Sequence, residues 1–258
     1  MNTFEEAFAD TDRAANAVAR SARALLTTAK QVEKAAALGD VSAVRKALDR
    51  VFTIFEAVSQ DVSNARSAWP FSPPAEEGYL RTEYERELSD AARQVGLHVL
   101  RLEHSLAVFP SVVRILPDER AARIDGKKIS ILRPSKLVEI LKKRQLKKPK
   151  FGTERFLETL YGAYKILSGR DGFGGVVELA KVYQALTLLP GTSSEYDESE
   201  FSRDLFLLDR SGLNATKSGA RISLPASTGT KGGRGYSFAS PDGEIVTFYG
   251  IRFTEAPK

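Results

Sequence analysis

At 258 residues the chain can bury one large core or two modest ones, and its 42% hydrophobic content is that of a self-folding globular protein. It has no cysteine, which excludes disulfides, thiolate zinc sites and a cysteine nucleophile. The net charge of +5 is uneven: residues 1–110 hold 13 Lys and Arg against 16 Asp and Glu, whereas residues 111–258 hold 25 against 17.

Two parts with different partners are the expectation from that asymmetry. No apolar stretch reaches the roughly 20 residues that span a bilayer, and the acid-bearing start does not read as a secretory signal. A soluble, cytoplasmic protein without membrane contact is expected.

The N-terminal part reads as helix. Ala15, Val18, Ala22, Leu25, Ala29, Val32 and Ala36 step by three and four, as an a/d heptad seam does. Gly39 breaks the pattern and Asp40 can cap the next helix. A second seam runs through Val41, Val44, Leu48, Val51, Phe55, Val58, Val62 and Ala65, predicting an antiparallel helical hairpin. The prolines of "WPFSPP" (69–74) end it. Leu80, Tyr84, Leu88, Ala91, Val95, Val99, Leu102 and Leu106 predict a third amphipathic helix, giving a helical bundle or coiled-coil arm over 1–110. The two histidines, His98 and His104, then lie on that helix but on different faces, so no metal site is expected from them.

Residues 111–150 read as a connector. "SVVRILPDERAARIDGKKISIL" alternates as strands around "PDER", with a second turn at "DGK". Asp118, Asp125 and Lys127 match the letters of a PD-(D/E)xK nuclease, in which two carboxylates hold a divalent cation and a lysine polarises water. Both tripeptides are also common turn sequences, and a pair of turns is the preferred reading. A basic helix comes next. Ser135 is its expected cap, Leu137, Val138, Ile140 and Leu141 its inner face, and Pro149 its stop. Residues 127–150 hold ten Lys and Arg against one acid, Glu139. Lys136, Lys142, Lys143, Arg144, Lys147, Lys148 and Lys150 are therefore candidates for contact with a nucleic-acid backbone.

Residues 151–258 predict three helices (153–168, 176–189 and one over "YDESEFSRDLFLLDRSG") and then strands over "ARISLPAS", "GYSFAS" and "EIVTFYGIRF". This order, with "ESEFSRDLFLLDRSGL" and "ARISLP" as third helix and first wing strand, resembles the winged helix-turn-helix superfamily. The resemblance is at the level of the fold. It implies a mainly α protein with a smaller β part: an N-terminal bundle followed by a winged-helix module. The segment "TGTKGGRG" lacks the Gly-Lys-Ser/Thr of a phosphate-binding loop and precedes a strand, so it reads as a wing tip. Its Lys231 and Arg234 join the backbone-contact candidates.

Six acids against two arginines over 195–211 make that third helix a poor reader of bases. Glu198, Glu200, Arg203 and Asp204 are instead the expected protein interface. No nucleophile motif, Walker lysine or dinucleotide fingerprint occurs, and no catalytic residue, metal or cofactor is expected. The leading expectation is a non-catalytic adaptor in a bacterial multi-subunit assembly containing an ATPase or nuclease, of the kind that acts against foreign DNA. It would bind a larger protein subunit and nucleic acid, with homo-oligomerisation open. A winged-helix transcriptional regulator and a divergent nuclease are the alternatives.

Overall fold

The structure is a computed structural model that describes residues 3–147, 151–169, 174–189, 196–225 and 235–254. It is mainly helical with a smaller sheet part. The chain divides into two compact units, residues 1–78 and 79–258, so the division falls well before residue 110.

The first unit is built on α1 (Phe4–Leu38) and α2 (Val41–Ser67). Thr3 and Glu6 form a reciprocal capping box at the start of α1. Gly39, at φ 72°, closes α1 in the left-handed conformation that glycine adopts without steric cost. The Asp40 side chain then accepts from the Ala43 amide and starts α2. The expected hairpin therefore forms, but its seam is displaced from the expected one. On α1 the covered residues at heptad spacing include Ala14, Val18, Ser21, Leu25, Thr28, Val32 and Ala35. On α2 they are Val44, Ala47, Val51, Ile54, Val58, Asp61 and Ala65. One column of each predicted seam is retained. The other columns, Ala15/Ala22/Ala29/Ala36 and Val41/Leu48/Phe55/Val62, are exposed. Close approach of two helices favours small side chains, and Ser21 and Thr28 are tolerated because their hydroxyls donate to carbonyls of the preceding turn. The open end of this unit is held by Phe4, Phe8, Trp69 and Phe71, whose rings meet at centroid distances of 4.9–5.9 Å.

Helix α3 (Pro73–Thr82) carries the chain into the second unit, where α4 (Tyr84–Gln94) follows. The single helix expected to reach Leu106 does not form. Gly96 takes φ 79° and ends α4, and β-branched Val99 leads into a strand. His98 and His104 consequently lie on no helix. Five short strands make an antiparallel meander in sequence order: β1 (Leu100–Arg101), β2 (Leu106–Val108), β3 (Ser111–Leu116), β4 (Ala121–Ile124) and β5 (Lys127–Ile129). The turns predicted at "PDER" and "DGK" join β3 to β4 and β4 to β5.

Helix α5 (Pro134–Gln145) packs on α4 and β3. Its first residue is Pro134, with Arg133 at the cap position, so Ser135 is not the cap. Then come α6 (Thr153–Ser168), β6 (Val177–Glu178), α7 (Leu179–Leu186), α8 (Glu198–Ser211), β7 (Arg221–Ser223), β8 (Tyr236–Ala239), β9 (Ile245–Phe248) and β10 (Gly250–Thr254). The helix expected over 176–189 thus opens with a strand, and "EIVTFYGIRF" splits at Tyr249 into two. Strands β8 and β9 pair as a hairpin, while β10 lies between β6 and β7. Ala107 and Val112 of the meander share one core with Leu160, Phe201, Leu205, Phe238 and Phe253. Residues 111–150 are therefore part of the second unit's body and not a linker.

Candidate nucleic-acid interface

Helix α5 has two unlike faces. Leu137, Val138 and Leu141 are buried, and Ile140 is half-buried beside them. Each apolar residue so covered contributes roughly 1.5–3 kcal/mol, which fixes the helix to its support. Lys136, Lys142 and Lys143 are exposed outside that face, and Lys147, two residues past the end of the helix, is exposed as well. Lys136 and Lys143 stand one turn to either side of Glu139, with Nζ 3.2 and 2.7 Å from its carboxylate oxygens. Those contacts, Lys143's first, hold the Glu139 carboxyl below the usual range. One acid shared by two lysines leaves a net positive face. Lys142 Nζ donates to the Val95 carbonyl at 3.2 Å. Lys148, Lys150, Lys231 and Arg234 lie outside the described residues.

Arg144 behaves differently. It donates to Asp125 Oδ2 at 2.5 Å, so its charge is already engaged within the fold, although the side chain keeps 35% exposure. Asp125 sits at the β4–β5 turn with φ 49°, a left-handed conformation that Asp tolerates better than most residues. Its carboxylate also accepts from the Ser111 hydroxyl and the Val112 amide, each at 2.9 Å, and from Arg203 of α8 at 2.8 Å. One carboxylate thereby ties the turn, β3, α5 and α8 together.

The acid-rich start of α8 is the far side of the same network. Asp197 caps the helix and exchanges hydrogen bonds with Glu200 in a capping box. Asp197 also pairs with Arg114 of β3. Arg203 binds Asp204 at 2.7 Å, and the Tyr196 hydroxyl donates to Asp204 Oδ2 at 3.0 Å. Burial, reinforced by neighbouring Asp197, raises the Glu200 carboxyl above its ordinary value. Burial likewise raises Asp204, against the opposing pull of Arg203. The Tyr196 hydroxyl is pushed up by burial and by the charge of Asp204. Glu200, Arg203 and Asp204 are consequently internal, and only half-buried Glu198 of the four expected interface residues retains appreciable exposure. The acidic surface that the sequence suggests is reduced, because Asp197 pairs with Arg114 of β3, Asp204 with Arg203 of the same helix, and Glu200 is buried in the capping box. Arg114 escapes a sequence reading, since it acts through a partner 83 residues along the chain, and Ser111 and Tyr196 act through partners in other turns or helices.

The nuclease pattern is not assembled. Asp118 lies in a short 3-10 turn (Pro117–Glu119) and pairs with Arg81, whereas Asp125 follows the other end of β4. Four extended residues separate these ends by about 13 Å, too far for two carboxylates to share one ion. Among the described residues no group of three metal-ligating side chains converges.

A cleft of ≈ 550 Å³ lies between β2–β3 and the β8–β9 turn, floored by Phe109, Phe151 and Phe206. Arg210 crosses its rim, over the Phe206 ring at 5.4 Å and 3.4 Å from Glu244. Asp242 and Glu244 make that rim unsuited to a phosphate backbone. Comparison with protein-family profiles, with curated proteins and with solved structures finds no match to this chain.

Proposed function

We propose that the protein is a non-catalytic adaptor that meets the nucleic-acid backbone through α5 and other proteins through its helical first unit. The observation that carries the reading is the exposed set Lys136, Lys142 and Lys143 on a helix pinned by its apolar face, with exposed Lys147 just beyond its C-terminal end. Lysine ammonium groups act as point charges toward phosphates, and they lack the planar fork with which arginine reads guanine. Contact of this kind is indifferent to sequence. A second body anchored by the hairpin, such as an ATPase or nuclease subunit, would supply the chemistry and be positioned on the duplex by this chain.

We read the C-terminal half of the second unit as a winged-helix module. In support of that reading, helix, strand, helix, helix, strand and strand succeed one another, and the third strand lies between the first two. The β8–β9 hairpin is an insertion between the last two strands. The start of the third helix is committed to internal ion pairs, which argues against insertion into a major groove and hence against a sequence-specific regulator.

The test is filter binding of random-sequence duplex to the full chain and to a Lys136→Glu, Lys142→Glu, Lys143→Glu, Lys147→Glu variant. All four positions are exposed, so folding is preserved and binding is lost. Equal binding by the two proteins would remove α5 from the account.

A further inference from the structure

The most apolar heptad of the first unit is not the one that closes its hairpin. The closed seam contains Ser21, Thr28 and Asp61, whereas large apolar side chains stand outside it. Val41, Leu48, Phe55 and Val62 are 72, 50, 56 and 49% exposed. Each of the last three follows a seam residue of α2 by four positions, Ala22, Ala29 and Ala36 do the same on α1, and Ala15 stands one heptad before Ala22. Four residues advance a helix by about 40° beyond a full turn. Because α1 and α2 are both right-handed and antiparallel, the two advances bring both columns to the same broad face. One edge of that face is small and the other large.

We propose that a second copy of this chain covers this face, so that two hairpins stack as a four-helix bundle with both turns at the same end. In that arrangement α1 of one copy lies on α2 of the other and each neighbouring pair of helices is antiparallel. Residues equidistant from the Gly39–Asp40 turn lie at the same height. Phe55 then falls between Ala22 and Ala29 of the second copy, and Leu48 between its Ala29 and Ala36. Large side chains enter the spaces between small ones, as knobs enter holes.

The flanks give a separate argument. Outside the two columns, α1 presents Asp12, Leu26 and Glu33, and α2 presents Arg66, Phe52 and Arg45. By height, Asp12 meets Arg66 of the second copy, Glu33 meets its Arg45, and Leu26 meets its Phe52. Leu26 and Phe52 are 58 and 72% exposed, and this arrangement covers both. The opposite arrangement, with turns at opposite ends, sets acid against acid and arginine against arginine. The area is also adequate. A helix of 27 residues is about 40 Å long and two helices are about 20 Å across, giving roughly 800 Å² per copy, the size of a standard stable interface. The dimer face belongs to the first unit and is independent of the nucleic-acid contact assigned to the second.

Sedimentation equilibrium of the full chain at micromolar concentration tests it. Twice the chain mass is expected, and Leu48→Asp with Phe55→Asp raises the dissociation constant on the order of 100-fold or more. Because these positions are exposed, the variant keeps its helical circular dichroism. A monomer at all concentrations overturns the proposal. The chain has no native cysteine, so engineered thiols report the arrangement cleanly. Oxidised Leu26→Cys, Phe52→Cys protein forms a covalent dimer, and neither single variant does. A dimer that fails to cross-link at this pair, or that survives the double aspartate substitution, contradicts the assigned face.

Discussion

Asp125 shows how much one side chain can organise. It accepts hydrogen bonds from two arginines, one hydroxyl and one amide, and the arginines come from different helices. Asp125→Ala leaves Arg203 and Arg144 partly unpaired, and a loss of about 3 kcal/mol is expected from urea unfolding. Lys127→Ala, two residues away and exposed, changes stability by less than about 0.5 kcal/mol. Glu200 has the opposite sign. Its carboxyl is raised by burial, so the folded state holds the proton more tightly than the unfolded chain. Its contribution is therefore full below the ordinary carboxyl range and is lost as pH rises through the raised value. Glu200→Gln keeps the acceptor that completes the capping box and removes the charge. The variant is expected to be at least as stable as the parent at pH 7, and its stability to vary less with pH just above 4.5, measured by thermal unfolding across pH. The turn at "DGK" could be read from the sequence because turn chemistry is local. The inward role of Asp125 could not, since Arg203 lies 78 residues further on.

At the scale of elements, the heptads of α1 and α2 are legible in the sequence, and so are the glycine and aspartate that separate them. Their register is not. A seam of period seven gives the spacing of apolar columns but leaves open which adjacent column faces the partner helix. Here the covered column is Ala14, Ser21, Thr28 and Ala35, and the neighbouring alanines are exposed. The distinction has a measurable consequence. Val51→Asp places a carboxylate in the closed seam and should cost the hairpin about 3 kcal/mol by urea unfolding. Phe55→Asp lies on the open face, and its effect on unfolding of a dilute, monomeric sample should be near zero. Equal losses for the two variants would place both columns inside the hairpin. Helix α5 keeps the inner face and the exposed lysines that its sequence predicts. Arg144 departs from the prediction because its charge is engaged by Asp125 within the fold.

For the whole molecule, hydrophobic periodicity and the order of the C-terminal elements predict a mainly helical chain with a smaller β part, and charge asymmetry predicts two parts. The boundary falls some thirty residues before the expected one, because Val95, Val99, Leu102 and Leu106 continue a helical period past Gly96, where the chain turns into strands. The meander then joins the C-terminal helices in one core, so α5 and its lysines are mounted on the same body as α6–α8. That mounting is central to the proposal, because lysines on a helix already packed in place meet a duplex without that helix first being ordered. The most direct measurement is the salt dependence of duplex binding by the full chain, followed by fluorescence anisotropy on two unrelated sequences. Each phosphate neutralised contributes about −0.9 to the slope of log K against log salt, so the three lysines of α5 together with Lys147 contribute about −3 to −4. The account predicts slopes at least that steep and equal for both sequences, shallower by about 0.9 for each of Lys142→Ala and Lys147→Ala. No binding at low salt, or binding that distinguishes the two sequences and is insensitive to salt, would contradict it.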